Sequence, residues 1–178
     1  MAKAIFGGSF DPPHIGHLEV IQQAITSLNI DELIVVPAFL NPFKSNSFAP
    51  ADLRLKWLKS MTKDINKVKV SSFEVDKNRA VASIETIKHF KQNNEEIFLI
   101  IGADNLASLS KWQDYETLDK MVKWVVAARD GISIPSKYKT LEVNKDISAT
   151  QLRQQVQEAY IDKNIANEVI DYYKKDIH

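Results

Sequence analysis

Two short strings, near opposite ends of the chain, carry side chains suited to holding anions. The first is Gly7-Gly8-Ser9-Phe10-Asp11-Pro12-Pro13-His14-Ile15-Gly16-His17. Gly7 and Gly8 have no side chains, so main-chain amides can approach a bulky anion closely. Pro12 and Pro13 stiffen the turn, and proline suits the first positions of a helix. His14 and His17 are three residues apart and share a face of a helix. In a first turn they would stand at its positive end, where anions bind. Two imidazoles and free amide donors around one point make a polyphosphate site. Plainer readings exist: a glycine pair after a strand is also a tight turn, and histidines three apart are often incidental. A zinc pair is a third reading, but no third ligand stands nearby.

The second string is Ile147-Ser148-Ala149-Thr150-Gln151-Leu152-Arg153. Ser148 followed by Gln151 has the spacing of a capping box. A serine cap leaves outward-facing amides, and Arg153, about one and a half turns in, could reach the same anion with its fork of donors. Most capping boxes are only caps, and an arginine on a helix surface is ordinary. Between the two strings stand Ile100-Ile101-Gly102-Ala103-Asp104-Asn105-Leu106, then Lys111-Trp112, then Arg129. Gly102 permits close approach and Asp104 could accept from ribose hydroxyls. Their plain readings are a helix cap for Asp104, a core aromatic for Trp112 and a surface charge for Arg129.

The elements that must position these residues follow from hydrophobic periodicity. Ala4-Ile5-Phe6 reads as a strand ended by Gly7-Gly8, and Leu18, Ile21, Ile25 and Leu28 recur at helical spacing, giving a helix from about Ile15 to Leu28. Leu33 to Pro37 is a second buried strand, Asn41 to Pro50 a polar loop, and Leu53, Trp57, Leu58 and Met61 the next helix. Val68 to Val70 is a strand, and Ile84, Ile87 and Phe90 line a helix. Ile97 to Gly102 is the strongest strand, Val122 to Ala128 another and Leu141 to Val143 a weaker one. From Ser148 the pattern is helical to the end. Steady alternation of strand and helix predicts an α/β fold: a Rossmann-like, doubly wound, mostly parallel sheet with helices on both faces and a helical C-terminus. The unbroken apolar strands agree, since strands covered on both faces read that way. Ligands of such sheets bind beyond the carboxyl ends of the strands, where Gly7, Pro37, Gly102 and Arg129 fall. No linker divides the chain, so residues 1–178 are expected to form a single domain.

Composition bounds the function. Lysine plus arginine equals aspartate plus glutamate, 23 against 23, so the basic excess of a nucleic-acid binder is missing. The absence of cysteine excludes a thiol nucleophile, disulfides and cysteine-held metals. No apolar run approaches the roughly 20 residues needed to span a bilayer, and no signal peptide pattern opens the chain. The expected location is the cytoplasm, with small molecules rather than nucleic acid or membrane as partners. A homo-oligomer is compatible with the sequence.

Gly8 to His17 match G-x-F-x-P-x-H-x-G-H in full, and Ile147 to Arg153 match I-S-x-T-x-x-R. On these strings the chain resembles the H-x-G-H nucleotidyltransferase superfamily. Gly102-x-Asp104, Trp112 and Arg129 narrow the resemblance to bacterial nicotinate-nucleotide adenylyltransferases, over nearly the whole chain from Ala4. The resemblance implies that AMP passes from ATP to nicotinate mononucleotide, giving nicotinate adenine dinucleotide and pyrophosphate. It implies an ATP site made of Gly7, Gly8, Ser9, Phe10, His14, His17, Gly102, Asp104, Ile147, Ser148, Thr150 and Arg153. It implies an acceptor site made of Lys44, Arg54, Ser83, Trp112 and Arg129, with Trp112 packed on the pyridine ring. His14, His17, Lys44 and Arg153 would carry the catalysis. Two departures stand out: Phe43 replaces the histidine of the family's P-P-H-K, and Val81-Ala82-Ser83 replaces S-Y-T. No carboxylate cluster suggests a protein-held metal, so Mg2+ is expected to come with ATP. Phosphopantetheine or nicotinamide mononucleotide as acceptor, a fragment related to class I aminoacyl-tRNA synthetases, and a non-catalytic nucleotide-binding module are the alternatives. The synthetase reading lacks a K-M-S-K-S segment.

Overall fold

The computed structural model describes residues 1–143, 147–155 and 157–175. In chain order the elements are β1 (Ala2–Gly8), α1 (Ile15–Ser27), β2 (Glu32–Pro37), α2 (Ala51–Thr62), β3 (Val68–Val70), α3 (Phe73–Asp76), α4 (Ser83–Phe90), β4 (Glu96–Gly102), a 3₁₀ stretch (Ala103–Lys111), α5 (Tyr115–Met121), β5 (Lys123–Ala127), β6 (Lys139–Leu141), α6 (Ala149–Gln154), a short 3₁₀ turn (Glu158–Tyr160) and α7 (Ala166–Lys175).

The strands form one six-stranded sheet in the order β3-β2-β1-β4-β5-β6. Every pairing is parallel, so the sheet is wholly rather than mostly parallel. Alternation along each strand divides the core into two layers. Ala4 and Phe6 of β1, Leu33 and Val35 of β2, and Val125 and Ala127 of β5 face one layer, closed by Ile21, Trp57 and Val169 from α1, α2 and α7. Ile5, Ile34, Val36, Leu99, Ile101 and Val126 face the other, closed by Ile84 and Ile87 of α4 and Leu118 of α5. The strand order reverses between β1 and β4, which opens a crevice beyond their carboxyl ends. Gly8 lies beside Pro37 in the register, and Gly102 beside Ala127.

Three features differ from the sequence reading. β6 ends at Leu141 rather than starting there, because this edge strand buries one residue, Leu141, and so gives almost no hydrophobic run. The C-terminal region is broken rather than continuously helical. Asp162 interrupts it, its carboxylate taking the amide of Asn164 at 2.9 Å and its carbonyl that of Ile165. The helical expectation for 176–178 lies outside the described residues. The segment after β4, left unassigned by periodicity, is a nine-residue 3₁₀ stretch. Ala103, Leu106, Leu109 and Trp112 recur every third residue, the period of that helix, and all four join the second core layer.

Candidate active site

The crevice is a cleft of about 640 Å³, within the roughly 300–1,000 Å³ of small-molecule sites. The two signature strings both line it, through His14 and His17 on one side and Ile147, Ser148, Thr150 and Arg153 on the other. Gly7, Gly8, Ser9, Phe10, Lys44, Ser83, Gly102, Asp104, Trp112 and Arg129 line it as well. Arg54 alone among the residues singled out from sequence does not.

The turn from β1 into α1 is built around aromatic packing. Phe10 takes a left-handed backbone, φ 51°, that turns its ring inward onto Phe6 and the edge of His17. Helix α1 begins at Ile15, so Pro12 and Pro13 precede it and His14 is its cap residue. The cap is a reciprocal box made of two histidines. Nδ1 of His14 accepts the Gly16 amide at 3.1 Å, and Nδ1 of His17 accepts the His14 amide at 3.1 Å. The rings stack with centroids 3.7 Å apart. Because both Nδ1 atoms accept, each neutral ring carries its proton on Nε2, which fixes the tautomer from the hydrogen-bond network. Burial, with Arg129 as a smaller cause, lowers the His14 pKa to about 4, and burial with its partner His14 holds His17 well below 6.5. The pair therefore offers two neutral N–H donors.

Asp11, which the sequence reading passed over, is the hub of the site. It is 4% exposed. Its carboxylate accepts the amides of Phe48 at 2.7 Å and Ala49 at 3.0 Å, and the hydroxyl of Tyr173. Its main-chain carbonyl accepts from Nη1 of Arg153 at 2.5 Å. The Arg153 guanidinium also lies 4.0 Å over the Phe48 ring and donates to Thr150 Oγ1 at 3.3 Å. Ser148 caps α6 by accepting the Gln151 amide at 3.1 Å. No local pattern could announce Asp11, because the side chain that completes its shell is 162 residues away.

At the far end of the cleft, Trp112 is half-buried against Trp124, with ring centroids 6.1 Å apart, and its indole N–H has no partner. The cap position of α4 is Ala82, whose side chain has no oxygen to take the first amides of that helix, and Val81, Ala82 and Ser83 line the cleft there. Lys44 and Phe43 reach it from the exposed 41–50 loop. Glu74 is a second residue the sequence did not reveal. It is buried, lines the cleft and accepts from Thr86 Oγ1 at 2.5 Å; burial raises its pKa to about 7. Arg129 and Asp104, both in the cleft lining, pair at 3.3 Å. A Cβ on Gly102 would sit 2.6 Å from the Asp104 carboxylate, so the glycine lets that carboxylate fold over the strand end.

Arg54 is neither a solvated charge nor a cleft residue. It is fully buried, and its guanidinium donates to the carbonyls of Ala49, Ser9, Ala38 and Phe39 at 2.5–3.0 Å. It ties the ends of β1 and β2 to the segment entering α2. Among the described residues no three histidine or acidic side chains group as metal ligands, and no helix is long and apolar enough to cross a membrane.

Residues 5–155 match the cytidylyltransferase-like family. The chain belongs to that family. Among its relatives, a protein of Sulfurimonas denitrificans named probable nicotinate-nucleotide adenylyltransferase is 49% identical over 97% of this chain and 95% of its own. One of the same name from Nitratiruptor sp. is 43% identical over 98% and 99%. Among solved structures, nicotinic acid mononucleotide adenylyltransferase of Plasmodium falciparum complexed with NaAD superposes with a TM-score of 0.77 at 21% identity, over 99% of this chain and 98% of that one. That likeness establishes the shared fold. The cytidylyltransferase-like match spans both signature strings and the cleft between them.

Proposed function

We propose that the chain is a nicotinate-nucleotide adenylyltransferase, moving AMP from ATP to the 5′-phosphate of nicotinate mononucleotide. The observation that carries this reading is the meeting of the two signature strings in one cleft, joined by the Arg153–Asp11 hydrogen bond. Near-full-length relatives bearing that name support it.

A phosphate oxygen of the acceptor attacks the α-phosphorus of ATP in line. The bond to the bridging oxygen breaks, and pyrophosphate leaves. The attacking oxygen is already ionised near neutral pH, so no general base is required. This agrees with imidazoles whose Nδ1 atoms are committed to the fold. His14 and His17 instead donate from Nε2 to phosphate oxygens as charge builds on them. Arg153 has donors beyond the two it spends on Asp11 and Thr150, and these grip the β- and γ-phosphates together with Ser148 and Thr150. ATP enters as its magnesium complex, the metal keeping most of its waters. Gly102 and Asp104 hold the adenosine half. Trp112 and Arg129 hold the acceptor, with Lys44 at its phosphate and the unclaimed first amides of α4 at its ring carboxylate. Much of the rate comes from bringing the two anions into one geometry. The reaction belongs to the cytosol.

The test is pyrophosphate release with ATP and magnesium, comparing nicotinate mononucleotide, nicotinamide mononucleotide and phosphopantetheine. The first should give the highest kcat/KM. Release with none of them, despite ATP binding, would make the chain a nucleotide-binding module.

A further inference from the structure

The C-terminal helix, outside both signature strings, reaches into the site at one atom. Tyr173 of α7 is buried, and its hydroxyl donates to the Asp11 carboxylate inside the first string. One residue earlier, the Tyr172 hydroxyl donates to the carbonyl of Phe48 at 3.0 Å. Both tyrosines pack on Trp57, which anchors α7 to α2. The Asp11 carboxylate in turn carries the amides of Phe48 and Ala49, which end the loop bearing Lys44, and its carbonyl orients Arg153. Three residues further along the chain stands His14.

We propose that Tyr173 and Asp11 are positioning residues, which hold His14, Arg153 and the 41–50 loop in the mutual geometry that adenylyl transfer needs. The inference rests on the transfer reading above. The carboxylate has three donors, which serve two duties. Two amides fix the loop, and the hydroxyl ties the first string to the last helix. Without the hydroxyl, the carboxylate keeps only donors from a loop that is itself exposed along most of its length; Arg54 still holds the string at Ser9, but nothing then refers the Asp11 carboxylate to α7. A displacement of about 1 Å in a catalytic constellation is enough to cost about 10² in rate.

The test compares Tyr173→Phe with Val169→Ala. The first removes one hydroxyl. The second removes buried packing from the same helix and leaves the hydroxyl and Asp11 untouched. Both should lower Tm. Assayed well below either Tm, Tyr173→Phe should lose about tenfold or more in kcat with KM for ATP within about threefold, whereas Val169→Ala should keep kcat within about twofold. Imidazole NMR titration supplies a readout free of turnover. The His14 ring, neutral to about pH 4 in the intact chain, should titrate closer to 6.5 in Tyr173→Phe and stay unmoved in Val169→Ala. A Tyr173→Phe enzyme with wild-type kcat overturns the proposal, and so does an equal loss of kcat in Val169→Ala. If the wild-type chain itself releases no pyrophosphate, the transfer reading fails instead. The titration then decides alone, a shifted His14 supporting the coupling and an unmoved one overturning it.

Discussion

At the scale of single residues, the histidine pair does two jobs with different nitrogens. Nδ1 holds the start of α1, and Nε2 carries the proton that the proposed transfer would use. His17→Ala should therefore lower turnover by about 10²–10³, the usual loss for one donor at a developing charge, while ATP binding weakens much less. Steady-state kinetics against a direct ATP titration checks this, and near-normal turnover would remove the role. Trp112 lines the cleft with a half-buried ring, and its buried indole N–H has no partner. Trp112→Ala should raise KM for the acceptor by about tenfold or more, with KM for ATP little changed; an unaltered acceptor KM would reduce the ring to packing against Trp124. The residue types of the two strings were legible because glycine, histidine and a serine cap advertise their chemistry locally. Their protonation was not. The network of Nδ1 acceptors, and the burial around them, are what make the pair neutral. Arg54, set among the acceptor residues by the resemblance, lies outside the cleft lining, and no local pattern shows the carbonyls that surround it.

At the scale of elements, Arg54 shows what a cleft between strand ends requires. The ends of β1 and β2 leave carbonyls that no neighbouring strand satisfies, and one guanidinium takes three of them together with that of Ala49 before α2. Lysine has the charge but not the planar fork. Arg54→Lys should thus lower stability by more than about 2 kcal/mol, since several buried carbonyls lose their donor. Denaturant melts would measure it, and a loss below about 0.5 kcal/mol would mean water replaces the guanidinium. Elements with strong periodicity were readable. β3 begins and ends where its Val-Lys-Val run does, and α1 is within one residue of the expected span. The 3₁₀ stretch was hidden because its period of three resembles neither a helix nor a strand, although it carries Asp104 and leads into Trp112.

At the scale of the whole molecule, two buried titrating groups oppose each other. A glutamate in an unfolded chain ionises near 4.5, whereas Glu74 keeps its proton to about pH 7 in the fold. Between those values the folded chain holds the extra proton, so stability falls as pH rises. His14 acts in reverse. Unfolded it takes a proton near 6.5 and folded only near 4, so acidification through that window favours the unfolded chain. Glu74→Gln, which can still accept from Thr86, removes the first slope alone. Its Tm advantage over wild type should grow between about pH 5 and pH 8. A constant difference would show that Glu74 ionises like a surface carboxylate. The architecture also sets an order of events. β1 and its glycine turn leave the ribosome before α7, yet the carboxylate inside that turn waits for a hydroxyl made 162 residues later. A nascent chain can thread together its inner strands while synthesis continues, but the shell of the Asp11 carboxylate is unfinished until α7 emerges. If that hydroxyl sets the geometry of transfer as proposed, translation holds turnover back until α7 has been made.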